Sequence, residues 1–482
     1  MSTGLREIAD LPGPRALPLV GNLFQIRRKR LHQCVEAWGR EYGPFFRFKL
    51  GPRTLLAVTD SEALSTALRD RPDGFRRTKL LETIGLEMGL TPGVFGANGE
   101  AWRRQRRMVM AGFDPTHVKA YFPSLLKVTQ RLHGRWLKAA AGAGSGTIEL
   151  QPELMRYTVD AISGLAFGAD INTLESDDEV IQQHLDKIFP AIYKRLFSLI
   201  PWWRFVRLPA DRRLERSVTE VNRAIAGFIA QARARLAADP ARRAEPPNLL
   251  EAMIVAADEG DTGVGDREVT GNVLTMLLAG EDTTANTLAW MIYLLHRHPA
   301  ALQRAQDEVR ERAPDVAAFT PELMASLDYL EACAHETMRL KPVAPFQVIE
   351  ALRDTEIKGI RVPKGMGLWC VMRGDSVSDP HFPNAQAFEP ERWLVGPSGA
   401  ASSAKRVSMP FGAGPRICPG RYLALLEIKM AMAMLLAHFD IDEVSTPDGA
   451  EAVEQMAFTM MPVGLRMRLR PAPGAPIRPA AP

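Results

Sequence analysis

The chain has 482 residues, of which 46% are hydrophobic and 24% charged, a composition that supports a globular fold with a sizeable core. Its net charge is only +4, from 60 basic and 56 acidic residues, so bulk electrostatics argue against a nucleic-acid-binding protein. The four cysteines contain no CxxC pair. This excludes a zinc ribbon, argues against a disulfide scaffold and favours a reducing, cytoplasmic setting.

The N-terminus and the apolar stretches predict neither a secretory signal nor a membrane span. No basic flank precedes an apolar run in MSTGLREIADLPGP, as a signal peptide requires. No uninterrupted apolar stretch reaches the roughly 18 residues of a spanning helix. We therefore expect a protein without transmembrane segments.

Short strands are predicted towards both ends of the chain, with helices between them. FFRFKLG and TLLAVTD predict a hairpin about the turn at 51–53, and the helical period dominates from about Ser61 to Pro299. A β-like texture returns over 355–370, where glycines and a proline occupy turn positions. Residues 471–482 are rich in proline and alanine and predict a disordered tail. Because no repeat or linker divides the chain, we expect one mainly α domain over 1–470 with a small β-rich portion.

The segment AWRRQRRMVM predicts a helix that can bind an anion. Trp102 and Arg106 lie one turn apart on the same face and can donate hydrogen bonds together. Arg103, Arg104 and Arg107 lie on other faces and form a basic surface. Ordinary solvated charge is the alternative interpretation of these three residues.

The longest predicted helix covers Asp266–His298. Its apolar pattern is interrupted at the centre by Glu-Asp-Thr-Thr at 281–284, and buried acids are costly unless they are used. Gly280 lets a ligand approach the backbone, and Thr283 can donate back to the Ala279 carbonyl. The pattern indicates a site that holds a small polar molecule and passes it protons; a solvated kink is the alternative.

The segment HETMR at 335–339 nearly matches a zinc-peptidase motif. Arg339 stands where the second histidine must be, so a zinc site fails. Glu336 and Arg339 can instead pair on one helix face, and an exposed pair of this kind would stabilise a helix by only about 0.2–0.5 kcal/mol. If Arg392 of the later segment FEPERW also reaches Glu336, the three residues form a structural clamp.

The segment FGAGPRICPG, at 411–420, predicts a rigid loop, because its glycines and prolines cannot continue a helix. A strong helical pattern follows it. Cys418 therefore lies at a helix N-terminus, where backbone N–H groups and the helix dipole stabilise a thiolate. This favours a cysteine that serves as an axial metal ligand; a loop cysteine without chemistry is the alternative.

In this order and spacing, the segments resemble the cytochrome P-450 superfamily of haem-thiolate monooxygenases over about Leu11 to Arg468. The cysteine-loop pattern F-x-x-G-x-R-x-C-x-G, the ExxR pair, the oxygen-groove pattern A-G-x-D-T-T and the WxxxR pair are all present. In that order, the matching residues are Phe411, Gly414, Arg416, Cys418 and Gly420; Glu336 and Arg339, followed by Pro390 to Trp393; Ala279, Gly280, Asp282, Thr283 and Thr284; and Trp102 and Arg106.

The resemblance implies a haem b group with Cys418 as its proximal thiolate ligand, whose electron donation favours O–O cleavage. The implied fold is a single trigonal-prism-shaped, mainly α domain with haem between the long central helix and the helix after Cys418. The other implied haem contacts are Phe411 near the sulfur, Ala279 and Gly280 on the long helix, and Trp102, Arg106 and Arg416 at the propionates. Many members add a basic residue from the strand after the ExxR helix, but Ile349 stands there, so this propionate set is expected to be incomplete.

The resemblance also implies roles for the remaining motifs. Asp282 and Thr283 would deliver two protons to bound dioxygen. Glu336, Arg339 and Arg392 would hold the core beneath the cysteine loop and are structural rather than catalytic.

Electrons are expected from separate proteins, because only twenty residues follow Pro462 and leave no room for a reductase. NAD(P)H would act indirectly, through a reductase and a ferredoxin or flavodoxin that docks near Arg103, Arg104 and Arg107. The resemblance indicates a soluble, bacterial-type, cytoplasmic member, expected to be monomeric. Arg416 and the PERW segment make it more similar to the fatty-acid-hydroxylase-like branch.

The resemblance places mostly apolar residues around the substrate. They include Leu90, Val94, Val343, Phe346, Phe458 and Met460. We therefore expect hydroxylation or epoxidation of a hydrophobic molecule such as a fatty acid, terpenoid or steroid. A peroxide-using or isomerising haem-thiolate enzyme and a non-enzymatic haem- or ligand-binding protein are the alternatives.

Overall fold

The structure is a computed structural model that describes residues 5–113, 115–142, 146–176, 181–198, 200–259, 265–394, 404 and 406–473. The helices are α1 (Leu31–Tyr42), α2 (Ser61–Arg69), α3 (Lys79–Glu87), α4 (Gly99–Gly112), α5 (Pro115–Ala120), α6 (Phe122–Ala141), α7 (Leu150–Phe167), α8 (Ile181–Leu185), α9 (Ile188–Leu196), α10 (Pro209–Ala238), α11 (Pro240–Ala244), α12 (Leu249–Asp258), α13 (Asp266–Arg297), α14 (Pro299–Arg312), α15 (Pro321–Ala325), α16 (Asp328–Leu340) and α17 (Arg421–His438). The strands are β1 (Phe45–Leu50), β2 (Arg53–Val58), β3 (Phe75–Arg77), β4 (Thr147–Glu149), β5 (Phe346–Ala351), β6 (Thr355–Ile357), β7 (Ile360–Val362), β8 (Gly367–Val371), β9 (Phe439–Ser445), β10 (Glu454–Met456), β11 (Met460–Pro462) and β12 (Arg466–Pro471). The predicted mainly α fold with a small β portion is confirmed.

The longest helix, α13, is the element about which many others pack. It begins at Asp266, where the Glu268 carboxylate accepts the Gly265 N–H at 2.9 Å, and it ends at Arg297, shortly before Pro299. Its 32 residues span about 48 Å at 1.5 Å per residue, and α7, α10, α12, α16 and α17 pack against it. The predicted helix is therefore confirmed to within one residue. Neither α13 nor any other helix of the described ranges is long and apolar enough to cross a membrane.

A glycine in α13 sets how closely α7 approaches. A Cβ added at Gly280 would lie 2.9 Å from Cγ1 of Ile162 in α7, closer than two carbon atoms pack. A side chain at this position is therefore excluded by α7, whereas Gly280 itself is half-buried, and the approach of a ligand to its backbone stays a prediction.

Strands from both ends of the chain form a mixed sheet in the order β1-β2-β8-β5-β3, in which only β2 and β8 are parallel neighbours. The predicted hairpin is confirmed: β1 and β2 pair from Phe45–Val58 to Leu50–Arg53, and Gly51 turns the chain with a φ of +59°. A second sheet has the order β4-β12-β9, and β6–β7 and β10–β11 are separate hairpins.

The strand β12 extends into the residues predicted as a tail. Pro471 pairs with Phe439 of β9, and the Ala472 N–H donates to the His438 carbonyl at 2.9 Å. The prediction of disorder from residue 471 is therefore wrong at its start, because these residues complete the sheet. Residues 474–482 of the predicted tail lie outside the described part of the chain.

The β10–β11 hairpin is anchored at its base by a buried ionic network. Arg373, which follows β8, donates to Glu454 of β10 at 2.8 and 2.9 Å and to Glu36 of α1 at 2.7 and 2.9 Å. Lys341 and the His32 ring also bond to Glu454, at 2.7 and 2.8 Å. Burial alone would raise the pKa of Glu454, but the hydrogen bonds from His32 and Arg373 and the surrounding positive charge hold it well below its usual range. The base of the hairpin is therefore tied to three distant segments.

We expect a buried histidine pair to make the fold sensitive to acid. The rings of His133 in α6 and His438 in α17 lie 4.2 Å apart, and burial, then the neighbouring His438, lowers the pKa of His133 to about 4. Because the fold favours the neutral ring, this contribution to stability is complete above about pH 6.5 and is lost as the pH falls towards 4. Between pH 7 and pH 4 the unfolding free energy of the parent should therefore fall by about 2–3 kcal/mol more than that of His133→Phe. Urea unfolding at the two pH values measures this difference.

His381→Phe, which removes an exposed histidine, is measured beside it as a comparison. An equal loss in His133→Phe and the parent would show that this pair does not govern acid stability.

Candidate active site

The loop from Phe411 to Gly420 holds Cys418 just before α17. The Cys418 N–H donates to the Phe411 carbonyl at 2.9 Å, which closes the loop. Gly414 has a φ of +69°, and a Cβ there would lie 2.6 Å from the Cα of Arg69 in α2, so glycine is required for this close approach. Cys418 and Phe411 are both half-buried. The predicted rigid loop followed by a helix is therefore observed.

The surroundings of the Cys418 thiol shift its pKa in opposite directions. Burial raises its pKa above the ordinary value, whereas the Gly420 N–H and the charges of Arg106 and Arg421 lower it. The helix N-terminus thus acts in the predicted direction, with burial opposing it, and the role of Cys418 as an axial ligand stays a prediction. A bound metal ion deprotonates a coordinating thiol, so a ligated cation would offset the cost of burying the Cys418 thiolate.

Three residues predicted to bind an anion lie together beside this loop. The Arg416 guanidinium stands over the Trp102 ring at 4.6 Å, and Arg106 donates to the Ile417 carbonyl at 2.6 Å. Trp102 is buried and both arginines are half-buried. The helix α4 and the cysteine loop thus present their cationic side chains in one place.

Two further arginines, Arg71 and Arg77, join this cluster. Burial lowers the pKa of Arg71 to about 10, and burial, then Arg71 and Arg106, lowers that of Arg416 to about 9. Burial, then repulsion by Arg71 and Arg416, holds the pKa of Arg77 well below its usual range. At least one guanidinium nitrogen of each of these three residues has no hydrogen-bond partner, and no carboxylate of the described residues pairs with them.

Buried cations of this kind require an anion. The cluster therefore fits a ligand that brings two negative charges, as the two propionates of haem do, and the chain's own residues fit the implied cofactor. Sequence reasoning missed Arg71 and Arg77. Arg77 in β3 stands opposite Ile349 in β5, the position at which many family members carry a basic residue. A neighbouring strand thus supplies the missing cation, and such a cross-strand pair cannot be read from one sequence.

We expect Arg71→Met to stabilise the apoprotein and to weaken haem binding. Arg71 is only 2% exposed, so removal of its charge relieves a desolvation cost that no carboxylate of the described chain offsets. The unfolding free energy of the apoprotein should rise by about 1–2 kcal/mol, and transfer of haem to apomyoglobin should become roughly tenfold faster. The exposed neighbour variant Arg69→Met is the control. A fall in both apoprotein stability and haem retention would instead show a purely structural role.

The neighbouring residues Asp282 and Thr283, here called the acid–threonine step, lie where one face of α13 is open. Ala279 is exposed and Thr283 is half-buried, although most of α13 is buried. The Thr283 hydroxyl donates to the Ala279 carbonyl at 2.8 Å, as predicted. The Asp282 carboxylate accepts from Asn286 Nδ2 at 2.8 Å and from the Thr459 hydroxyl. Burial raises the pKa of Asp282, and these two hydrogen bonds oppose that effect.

Three further acids lie near this step. Burial raises the pKa of Glu281 well above its usual range, and Asp186, with which it shares a hydrogen bond, raises it further. Burial raises the pKa of Asp186 to about 6. Burial also raises the pKa of Glu427 in α17 to about 8, against a hydrogen bond from Thr284. Glu427 was missed, although one acid inside the apolar run YLALLEIKMAMAMLL is a visible signal.

The predicted clamp is fully assembled. Glu336 accepts from Arg339 at 2.7 and 2.8 Å, from Arg392 at 3.2 Å and from the Trp393 ring N–H at 2.9 Å. Arg339 also donates to three backbone carbonyls of the segment before the PERW turn. Glu336 and Arg339 are both 0% exposed, so the alternative of an exposed helix pair is wrong.

The predicted pocket residues are mostly buried or packed against other aromatic rings. Leu90, Val94 and Met460 are buried, and Met460 N–H donates to the Val343 carbonyl at 2.7 Å. Phe458 stacks on Phe189 of α9 with ring centroids 4.4 Å apart and meets Phe95 edge-on at 6.1 Å. Phe346 instead stacks on Trp369 at 4.3 Å. The aromatic contacts of Phe458 with Phe95 and Phe189 were not predicted.

One arginine of the predicted basic surface on α4 forms ion pairs with neighbouring acids. Arg103 pairs with Asp73 at 2.5 Å and with Glu100 at 3.6 Å, so much of its charge is neutralised locally. Arg104 is half-buried and Arg107 is exposed. The predicted basic surface therefore includes one arginine that is already ion-paired, and docking at this surface stays a prediction.

Comparisons with known proteins agree on one family. The family model described as Cytochrome P450 matches residues 11–468. The Arabidopsis thaliana protein LUTEIN DEFICIENT 5, chloroplastic, is 27% identical over 90% of this chain and 73% of its own length. The self-sufficient cytochrome P450 monooxygenase CYP505E5 of Aspergillus kawachii is 28% identical over 96% of this chain and 43% of its own length. The chain thus spans less than half the length of that relative.

A structural comparison agrees as well. The crystal structure of the cytochrome P450DA heme domain is similar in fold, with a TM-score of 0.82 over 99% of both chains at 24% identity. Mouse cytochrome P450 3A13 is 25% identical over 91% of this chain and 87% of its own length. With the cysteine loop, the arginine cluster and the buried clamp all in place, the chain belongs to the cytochrome P450 family and is a monooxygenase whose family implies a haem-thiolate iron.

Proposed function

We propose that this monooxygenase hydroxylates or epoxidises a hydrophobic small molecule with dioxygen and two electrons from a separate protein. The acid–threonine step carries the proposal, since Asp282 and Thr283 stand on the open face of α13. An acid beside an alcohol can hold a proton and pass it to a reacting group. Such a step favours dioxygen chemistry over the peroxide-using and isomerising alternatives, which do not require delivered protons.

Haem b, when bound, supplies the iron at which dioxygen is reduced. Cys418 would ligate that iron, and Phe411 would exclude water from the sulfur. The propionates would accept from Trp102 and from the arginine cluster, namely Arg71, Arg77, Arg106 and Arg416. Asp282 would hold a proton at its carboxylate, and Thr283 would pass it on after its hydroxyl turns from the Ala279 carbonyl.

The apolar lining supports a hydrophobic substrate such as a fatty acid, terpenoid or steroid. Val94 and Met460 are apolar, and Phe95, Phe189 and Phe458 form an aromatic stack. The Arg77 guanidinium lies over the outer Phe95 ring, 4.1 Å from its centre. Burial of an alkyl or ring system would supply about 25 cal/mol for each Å² removed from water.

The exposed face of α4 supports an acidic ferredoxin or flavodoxin as the electron donor, with NAD(P)H acting through its reductase. Arg107 is exposed and Arg104 is half-buried, whereas Arg103 is already paired, so we weight the docking proposal towards Arg104 and Arg107. The four free cysteines support a reducing, cytoplasmic setting.

The reaction class is tested by substrate turnover with NAD(P)H, a surrogate ferredoxin and its reductase, beside turnover with peroxide alone. Candidate substrates come from a screen of lipophilic compounds for a low-to-high-spin shift, which reports displacement of water from the iron. We expect product only with the electron-transfer proteins or far faster with them. Product formed with peroxide alone, at an equal or greater rate, would favour the peroxygenase alternative.

A further inference from the structure

The acid of α13 is held from outside its own helix by the tip of the β10–β11 hairpin. This tip consists of Ala457, Phe458 and Thr459. The Thr459 hydroxyl donates to Oδ2 of Asp282, while Asn286, on α13 itself, donates to Oδ1 at 2.8 Å. Thr459 is 5% exposed and Asp282 is half-buried, so this hydrogen bond is partly shielded from water. Of these two hydrogen bonds to Asp282, the one from Thr459 can therefore be broken without any movement of α13.

The residue before Thr459 has a strained backbone. Phe458 has a φ of +99°, a conformation that costs a bulky residue on the order of 1–3 kcal/mol. Such strain persists only where surrounding contacts impose it. Here the Phe458 ring is held between Phe189 of α9, at 4.4 Å, and Phe95, at 6.1 Å. The ring contacts and the Thr459 hydrogen bond therefore depend on the same turn.

Movement of this turn is confined to the tip. The base of the hairpin is fixed by the contacts of Glu454 with Arg373, Lys341 and His32, and the Met460 N–H is bonded to the Val343 carbonyl at 2.7 Å. A displacement of the Phe458 ring must therefore be taken up by the turn that carries Thr459.

We propose that Thr459 is a positioning residue that keeps Asp282 ionised, and that the Phe458 ring couples this hydrogen bond to the contents of the pocket. A ligand that displaces the ring relaxes the strained turn and withdraws the Thr459 hydroxyl. Asp282 then takes up a proton from solvent, so that the acid is loaded when a substrate is present. The coupling rests on the proposed function, which places the substrate beside Phe458.

The surroundings of Asp282 favour proton uptake once Thr459 withdraws. A hydrogen bond to the ionised form lowers the pKa of a carboxyl, and its loss leaves burial unopposed except by Asn286. The titratable neighbours are Glu281 on α13, Asp186 between α8 and α9, and Glu149 and Arg466 on the adjoining strands. Three of the four are acids, so their charges do not favour the Asp282 carboxylate.

The test is an infrared titration of the Asp282 carboxyl C=O stretch in the ferric holoenzyme, assigned by difference from Asp282→Asn. We expect Thr459→Val and Phe458→Ala each to raise the midpoint by about one pH unit, while Thr459→Ser keeps the parent midpoint. Thr446→Val is the matched control, because Thr446 also donates to a carboxylate, that of Asp448, but lies away from the pocket. An unmoved midpoint in Thr459→Val overturns the positioning role, and a moved midpoint there with none in Phe458→Ala overturns the coupling.

The coupling is also tested in the parent by measuring the Asp282 midpoint with 1-dodecylimidazole bound, whose ring ligates the iron and whose chain fills the pocket. The same measurement with imidazole is the comparison. We expect the long-chain probe to raise the Asp282 midpoint and imidazole to leave it in place. A Soret shift that reports binding of 1-dodecylimidazole without movement of the midpoint would overturn the coupling. Because the titration needs no turnover, an enzyme that titrates as expected but forms no NAD(P)H-dependent product refutes the proposed function and leaves this inference standing.

Discussion

Replacement of Cys418 by serine or histidine is expected to abolish monooxygenation. Cys418 is the cysteine that the loop 411–420 places at the start of α17 and within electrostatic reach of Arg106. A thiolate ligand donates electron density to the iron and favours O–O cleavage, whereas a hydroxyl or imidazole does not supply this donation. The reduced carbon monoxide complex of either variant should lack the large Soret red shift of the parent, and turnover should be lost.

The matched control is Cys34→Ser, at another half-buried free cysteine in α1. This variant should keep both the Soret red shift and the turnover rate. Retained activity in Cys418→Ser would overturn the ligand assignment, and loss of the red shift in both variants would point to general damage.

The second large effect is expected at Glu336. Its buried carboxylate accepts five hydrogen bonds, from two nitrogens of Arg339 and from Arg392, Trp393 and the Glu389 N–H. Glu336→Gln keeps the shape but leaves the fully buried guanidinium of Arg339 without its counter-charge, which typically costs about 3–5 kcal/mol. Urea unfolding of the holoenzyme should show this loss, with lower haem content in the purified protein.

A control with the same residue types and spacing exists on the surface. Glu220 and Arg223 in α10 form an exposed i,i+3 pair. Glu220→Gln should change the unfolding free energy by no more than about 0.5 kcal/mol. Similar small losses in both variants would show that burial does not make the clamp important.

The parts of the site that follow from local sequence could be predicted. The helix α13 is found to within one residue, because its apolar pattern resumes with helical spacing after the polar residues 281–284 and ends before Pro299. The back-bond from Thr283 to Ala279 follows from the geometry of a single helix turn. Glu336 and Arg339 share a helix face for the same reason.

The parts that depend on distant segments could not be predicted from one sequence. One sequence does not show whether Arg392 reaches Glu336, because the two residues are 56 positions apart. Nor does it show that β3, which carries Arg77, lies beside β5. The requirement for glycine at position 280 comes from Ile162, which lies on another helix and would contact an added Cβ. The burial that opposes a thiolate at Cys418 is a property of the whole fold, whereas the helix N-terminus that favours it is visible locally.

The ionic network at the base of the β10–β11 hairpin has a consequence for the order of folding. His32 and Glu454 are 422 positions apart, and Arg373 joins both ends of the chain through Glu36 and Glu454. Contacts of such high sequence separation form slowly, and during synthesis the N-terminal partner waits until the C-terminal one has been made. The network that fixes the hairpin carrying Phe458 and Thr459 can therefore close only after Glu454 has been made. A nascent chain can build much of its helical core before that point, whereas the base of this hairpin is joined to α1 late in folding.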